Sequence, residues 1–190
     1  MKKFFIFTCA ALIGLCASAQ EKGDMAVGLN LGVAPSLENG ASVTNFGIGA
    51  KFQYNVTNPI RLEGAFDYGF KNKGVDVMTI GINAHYIFNL SDKFNIYPLV
   101  GVGYAHCKAT AIGIPDLDEN DWLDIAYGQT DIDDYGTKEE SGSANKFFFN
   151  VGVGAEYAIN DKISIGAEIK YQYIENFNRL PISLGVAYKF

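Results

Sequence analysis

The chain has 190 residues, 19% of them charged, with 21 acidic residues against 15 lysines and arginines and a formal charge of −6. That balance argues against a nucleic-acid partner, and three cysteines, two of them close to the start, leave no disulfide framework. Beyond the first residues there is no apolar run approaching the ~20 residues of a membrane-spanning helix.

The chain opens with Lys2 and Lys3, an apolar run from Phe4 to Leu15 and the small-residue ending Ala17-Ser18-Ala19. This predicts a signal peptide over 1–19, removed before Gln20. Leu15 is too bulky to precede a lipidated Cys16, so lipidation is not expected. Losing Lys2 and Lys3 takes the charge from −6 to −8 and leaves Cys107 as the one cysteine of a domain over 20–190.

Eight runs of alternating apolar and small or polar residues follow, the period of two that marks β-strands with different surroundings on their two faces. Residues 25–34 set Met25, Val27, Leu29, Leu31 and Val33 on one face, and 46–55 continue with Phe46, Ile48, Phe52 and Tyr54 opposite Lys51. The third run, 59–70, alternates Ile60, Leu62, Phe66, Tyr68 and Phe70 with Arg61, Glu63 and Asp67. In 77–89, Met78, Ile80, Ile82, Tyr86 and Phe88 oppose Asn83 and His85. The fifth run, 94–107, carries Pro98 on its apolar face, where a bulge or a start of pairing just after the proline is expected. An acidic loop at about 109–144 separates it from 146–158, which carries Glu156 inward. Then come 163–174 with Glu168 and Lys170, and 181–190 with Lys189. The greasy faces hold 45 positions and none is charged, where the overall composition would place about eight or nine.

An eight-stranded barrel has an interior that side chains just fill. Some forty large apolar residues do not fit there, whereas the interleaved glycines do, so the greasy face must point outward. A lipocalin-like barrel, the soluble alternative, reverses this. Only lipid covers such a surface, and closure removes the open edges that hydrocarbon forbids. Aromatics cluster towards both strand ends, and the tight links "NVTN", "NLSD" and "INDK" alternate with others that include the long loop, as in bacterial outer-membrane barrels. The expectation is an all-β, eight-stranded antiparallel up-and-down transmembrane barrel, with a further hairpin inside the loop, making ten strands, as the variant.

These residues resemble the small outer-membrane β-barrels of the OmpA/OmpX and "porin family" type over the whole mature chain. The specific element is the closing strand "ISLGVAYKF". Its Tyr188 and terminal Phe190 look like the signal read by the outer-membrane assembly machinery. The resemblance implies a bacterial outer-membrane location, lipid and lipopolysaccharide as surroundings, and a monomer. The expected barrel reaches Phe190, so a peptidoglycan-binding domain is not expected and cell-wall anchoring is not carried over from the resemblance.

The inward charges Lys51, Arg61, Lys170 and Lys189 balance Glu63, Asp67, Glu156 and Glu168. Because unpaired buried ions are costly, a salt-bridged plug near His85 and Asn83 is expected; an ion pathway gated by rearranging those pairs is the alternative. The loop holds ten acidic residues and Lys138 as its one base. Calcium-loop frames starting at Asp116 and Asp131 each lack required residues, which leaves a solvated acidic loop, with cation binding or an extracellular partner as sharper possibilities. His106 has Glu140, Ser141 and Ser143 in reach by strand position but no triad spacing, so no catalytic residue, cofactor or metal ligand is assigned. A structural or surface-interaction role is expected, with a small porin as alternative and a lipid-modifying enzyme as a distant one.

Overall fold

The computed structural model describes residues 21–37, 44–72, 75–113, 138–174 and 178–190, with 109–113 and 138–142 as backbone only. Eight long strands run in chain order: β1 (Met25–Pro35), β2 (Thr44–Asn55), β3 (Ile60–Asn72), β4 (Val75–Tyr86), β5 (Phe94–Gly113), β6 (Lys138–Ala158), β7 (Ile163–Ile174) and β8 (Ile182–Lys189). Each pairs antiparallel with its sequence neighbours, and β8 returns to β1 in the register Leu184↔Leu31, closing the sheet. Every strand thereby has two partners, as a backbone crossing hydrocarbon requires.

Three tight turns, over 56–59, 90–93 (after the two-residue extension Phe88–Asn89 that follows β4) and 159–162, join strands at the end that holds both β1's start and β8's finish. Each is stapled by a side-chain oxygen near its start. Thr57 Oγ1 accepts from Ile60 N (3.2 Å), Ser91 Oγ from Phe94 N (3.1 Å) and Asn160 Oδ1 from Ile163 N (2.9 Å). Short polar residues at turns do this because their side chains reach their own backbone. The opposite end carries the longer links, although β3 and β4 are separated there by only two residues.

One expectation is corrected and a second holds in part. The ladder between β5 and β6 continues to Gly113↔Lys138, so strand pairing takes several residues from each side of the segment read as loop 109–144. The calcium-loop frames from Asp116 and Asp131 fall within 114–137 or run into it, outside the described residues. Pro98 produces no bulge, and β5 pairs with β6 without register change from Phe94↔Tyr157 onward, while on the other edge the long ladder with β4 starts at Leu99, just after the proline, as expected. The proline's effect falls on that edge. Pairing with β4 stops at His85↔Leu99 and resumes in the same register at Phe88↔Ile96, while Ile87 N continues the ladder with the strand on its other side by donating to Pro59 O (2.7 Å). A residue without an N–H cannot serve the β4–β5 ladder.

Pro181 similarly interrupts the top of β8 without shifting its register. Beyond it, Arg179 bridges both Gln172 of β7 and Ser36 after β1. The inward parity of β8 therefore extends to Arg179.

Side chains sort as in a protein turned inside out. Leu29 (66% exposed), Ile82 (62%) and Leu184 (68%) face outward at mid-strand, while Glu63 and His85 are each only 1% exposed. A water-soluble barrel with a greasy interior is excluded by this arrangement, since exposed apolar area of this extent is foreign to soluble monomers. Aromatic contacts band the surface near the long-link end, with Phe46 stacked on Phe70 and Tyr104 packed on Phe147. Replacing Leu184 by Arg on this face should lower unfolding free energy in lipid vesicles by about 2–4 kcal/mol, read by urea titration, because a charge at mid-membrane must be drawn out of water.

Candidate functional site: the lumen

The bore is filled from strand positions that alternate with the lipid-facing ones. Glu168 of β7 lies at its centre. Its Oε1 receives Lys51 Nζ from β2 at 2.7 Å and the Tyr97 hydroxyl from β5 at 2.9 Å, and its Oε2 pairs with Lys170 Nζ at 3.2 Å. Glu63 of β3 accepts from Gln53 Nε2 (2.8 Å) and Asn83 Nδ2 (3.0 Å), with Lys51 Nζ 3.6 Å away. Asn150 of β6 donates to Asn83 Oδ1 at 3.2 Å. These carboxylates are each met from several strands, so their charge is compensated where water is scarce.

A second cluster lies nearer the short-turn end. Arg61 pairs with Glu156 at 2.8 Å and donates through Nε to His85 Nδ1 at 3.2 Å. An accepting Nδ1 puts the imidazole's proton on Nε2, which lies 3.7 Å from Glu63 Oε1. The Tyr97 ring stacks on His85 with centroids 4.7 Å apart and 9° between planes, and the Arg61 guanidinium sits 4.8 Å over its centroid. Glycines make this packing possible. A Cβ on Gly154, the register partner of Tyr97, would lie 2.6 Å from the tyrosine hydroxyl.

Two of the residues grouped by the sequence lie away from this centre. Lys189 is at the rim, 3.3 Å from Asp24, and both are partly exposed. Asp67 accepts from Asn30 Nδ2 (2.9 Å) towards the other end of the bore. Missing from the sequence reading was Arg179, 4% exposed, which donates through Nε (3.1 Å) and Nη2 to Gln172 Oε1. The alternation in the sequence places the start of the last strand at Pro181, after Arg179. Arg179 thus joins Lys51, Arg61 and Lys170 as a base within the bore, whereas Lys189 stays at the rim. Also missed were the apolar residues inside: Ile87, Tyr97 and Leu99 in one cluster, and Ala105, Phe148 and Ile174, with Cys107 against them, in another. The run Phe147-Phe148-Phe149 carried the available signal, since alternation forces its middle ring inward.

Two spaces flank the centre. Towards the long-link end lies a cavity of about 60 Å³ lined by Asn30, Asn45, Asp67, Asn150, Lys170 and Arg179 among others. Towards the short-turn end an open vestibule of about 570 Å³ is lined by Gln53, Arg61, Asn95, Glu156 and Lys189 among others. Outside the bore, His106 Nδ1 donates to Asn145 Oδ1 (2.8 Å), its register partner across the β5–β6 pair. Among the described residues no group of three or more His, Cys, Asp or Glu side chains is placed to hold a metal ion.

A closed eight-stranded antiparallel barrel with a greasy exterior and a charged, packed bore defines the class of small outer-membrane barrels. The chain belongs to the outer membrane protein β-barrel domain family, which it matches over residues 7–190. It is 32% identical over 97 residues to the outer membrane protein PagN of Salmonella typhimurium, a match spanning 51% of this chain and 34% of that relative. Among solved structures it superposes on Neisserial surface protein A with a TM-score of 0.66 and 16% identity, over 87% of this chain and 97% of that one. The attachment invasion locus protein Ail of Yersinia pestis superposes with a TM-score of 0.56 and 16% identity, over 89% and 99%. The protein is thus a bacterial outer-membrane barrel.

Because Glu168 neutralises both Lys51 and Lys170, Glu168→Gln should cost about 3–5 kcal/mol, as when one partner of a buried pair is removed. Lys189→Met, which breaks only the rim pair, should cost under about 1 kcal/mol. Urea unfolding of both variants in the same vesicles checks the contrast.

Proposed function

We propose that this barrel is a structural or surface-interaction protein, present as a monomer, whose bore is plugged by the network around Lys51, Arg61, Glu63, His85, Glu156, Glu168 and Lys170. The observation that carries the reading is the pairing: each lumen ion pair links different strands or strand positions, and none of these side chains exceeds 12% exposure. Holding buried charges in such mutual contact costs less than separating them, which favours a closed bore. Purified protein in planar bilayers should therefore give no steady conductance. Steady single-channel steps from the native chain would instead favour the second reading, a small pore for ions, to which the spaces on both sides of the network lend support.

A surface role is supported by the β5–β6 ladder, which runs beyond the pairing of its neighbours towards the acidic segment 114–137. That segment holds eight acids and no base. Ail has been solved in complex with the heparin analogue sucrose octasulfate, but the sign of charge here disfavours a sulfated polyanion. A cationic partner surface, or lipopolysaccharide phosphates bridged by divalent cations, suits it better. An epitope tag inserted after residue 125 should be detected by antibody on intact cells.

The closing strand fits the assembly-signal role, with Tyr188 and Phe190 both outward and Phe190 N bonded to Met25 O at 3.1 Å. Phe190→Ala should lower the outer-membrane level several-fold in cell fractions while leaving the barrel refoldable in vitro.

A further inference from the structure

We infer that Tyr97 is the keystone of a septum one to two inward positions deep, the barrier that keeps two hydrated compartments of the bore from joining; the inference deepens the plugged-barrel reading and rests on it.

The depth of the barrier follows from which inward positions line each space. On β3 Ala65 lines the outer cavity and Arg61 the vestibule, so one inward position, Glu63, lies between them. On β1 the corresponding residues are Asn30 and Ala26, with Gly28 between, and two inward positions lie between the spaces on β2 (Gly49 and Lys51), β6 (Gly152 and Gly154), β7 (Gly166 and Glu168) and β8 (Gly185 and Ala187), most of them glycines. No residue lines both spaces, and Lys51, His85, Tyr97 and Glu168 line neither.

The outer cavity is built to hold water. Asn45 uses its Nδ2 on the carbonyls of Phe70 and Val75, both at 2.9 Å, and Asn150 uses its Nδ2 on Asn83. Their Oδ1 atoms are buried without a hydrogen-bond partner, and both side chains line the cavity. Lone acceptors call for a donor, while Lys170 and Arg179 in the same lining disfavour a cation and Asp67 disfavours an anion. Water both donates and accepts, and polar cavities above about 10–15 Å³ hold it. The vestibule opens at the short-turn end.

Within the septum, Lys51, Glu63 and Glu168 are tied to one another through ion pairs. Tyr97 is neutral, yet it touches the layer on three sides, through its hydroxyl on Glu168, its ring face on His85 and the Arg61 guanidinium. Against the wall it lies on Gly154, which has no side chain to replace it. Truncating Tyr97 therefore opens a void beside bare backbone without unbalancing the charges. Asn95, the next inward position on its strand, lines the vestibule, and Asn83 and Asn150 on the two flanking strands line the outer cavity; with the ring gone only Leu99 of the Ile87–Tyr97–Leu99 cluster stands on β5 between them. The permeant species would be small hydrated ions.

The test is single-channel recording of the full barrel in planar bilayers in potassium chloride, with heat-modifiable gel migration to establish folding. Native protein and Tyr97→Phe, which keeps the ring, should be silent, and Tyr97→Ala should show stepwise conductance. A folded but silent Tyr97→Ala overturns the inference and leaves the plug standing. Steady conductance in the native chain overturns the plug, and a conductance unchanged by Tyr97→Ala overturns both. Should Tyr97→Ala fail to fold, Gly154→Ala, whose methyl would collide with the ring and displace it, is read in its place: steps support the septum and silence overturns it.

Discussion

Hydrocarbon offers no partner to a backbone N–H or C=O, and the architecture of this chain follows from that constraint. A sheet satisfies its peptide groups in hydrocarbon only when its first and last strands meet. Here they meet through eight register pairs between β1 and β8. Closure at eight strands then sets a narrow bore, and the alternation of side chains sends every second residue into it. The residues that carry charge have nowhere else to go, so the interior becomes the polar region and the exterior the apolar one.

A narrow charged bore brings its own difficulty, because ions there have lost most of their water. The structure answers by convergence: three donors from three positions meet Glu168, and amide side chains complete Glu63. Glycines are the counterpart of these large groups. A Cβ on Gly49 would lie 2.6 Å from Asn30 Oδ1, so the inward glycines leave volume for neighbours' side chains to turn across the wall. Tyr97 over Gly154 and Asn30 beside Gly49 are two cases of one packing rule, a long side chain from one strand covering a bare position on the next.

Prolines show how register survives local defects. Pro98 and Pro181 each remove one ladder donor, and in both places pairing resumes beyond the gap in the same register. In a closed sheet the other strands hold the spacing, so a missing hydrogen bond is absorbed locally where an open edge strand would be free to slip. This continuity is what carries Arg179 into the lumen, where it lines the outer cavity with Asp67.

From sequence alone, the strand number, the outward face of every strand and the inward placement of Lys51, Arg61, Glu63, Glu156, Glu168 and Lys170 could be read. Each depends on a period of two that is local in the chain and that lipid on one side and a narrow bore on the other make strict. What the sequence could not supply was partnership. Lys189 and Lys170 have the same parity, yet one sits at the rim beside Asp24 and the other at the centre beside Glu168. Height along the bore depends on stagger between strands, a property of the closed sheet. The same holds for Tyr97, which reads as an ordinary inward tyrosine until Gly154, His85, Arg61 and Glu168 are brought around it from four other strands, and for Arg179, whose strand is recognisable only once both its neighbours are in place.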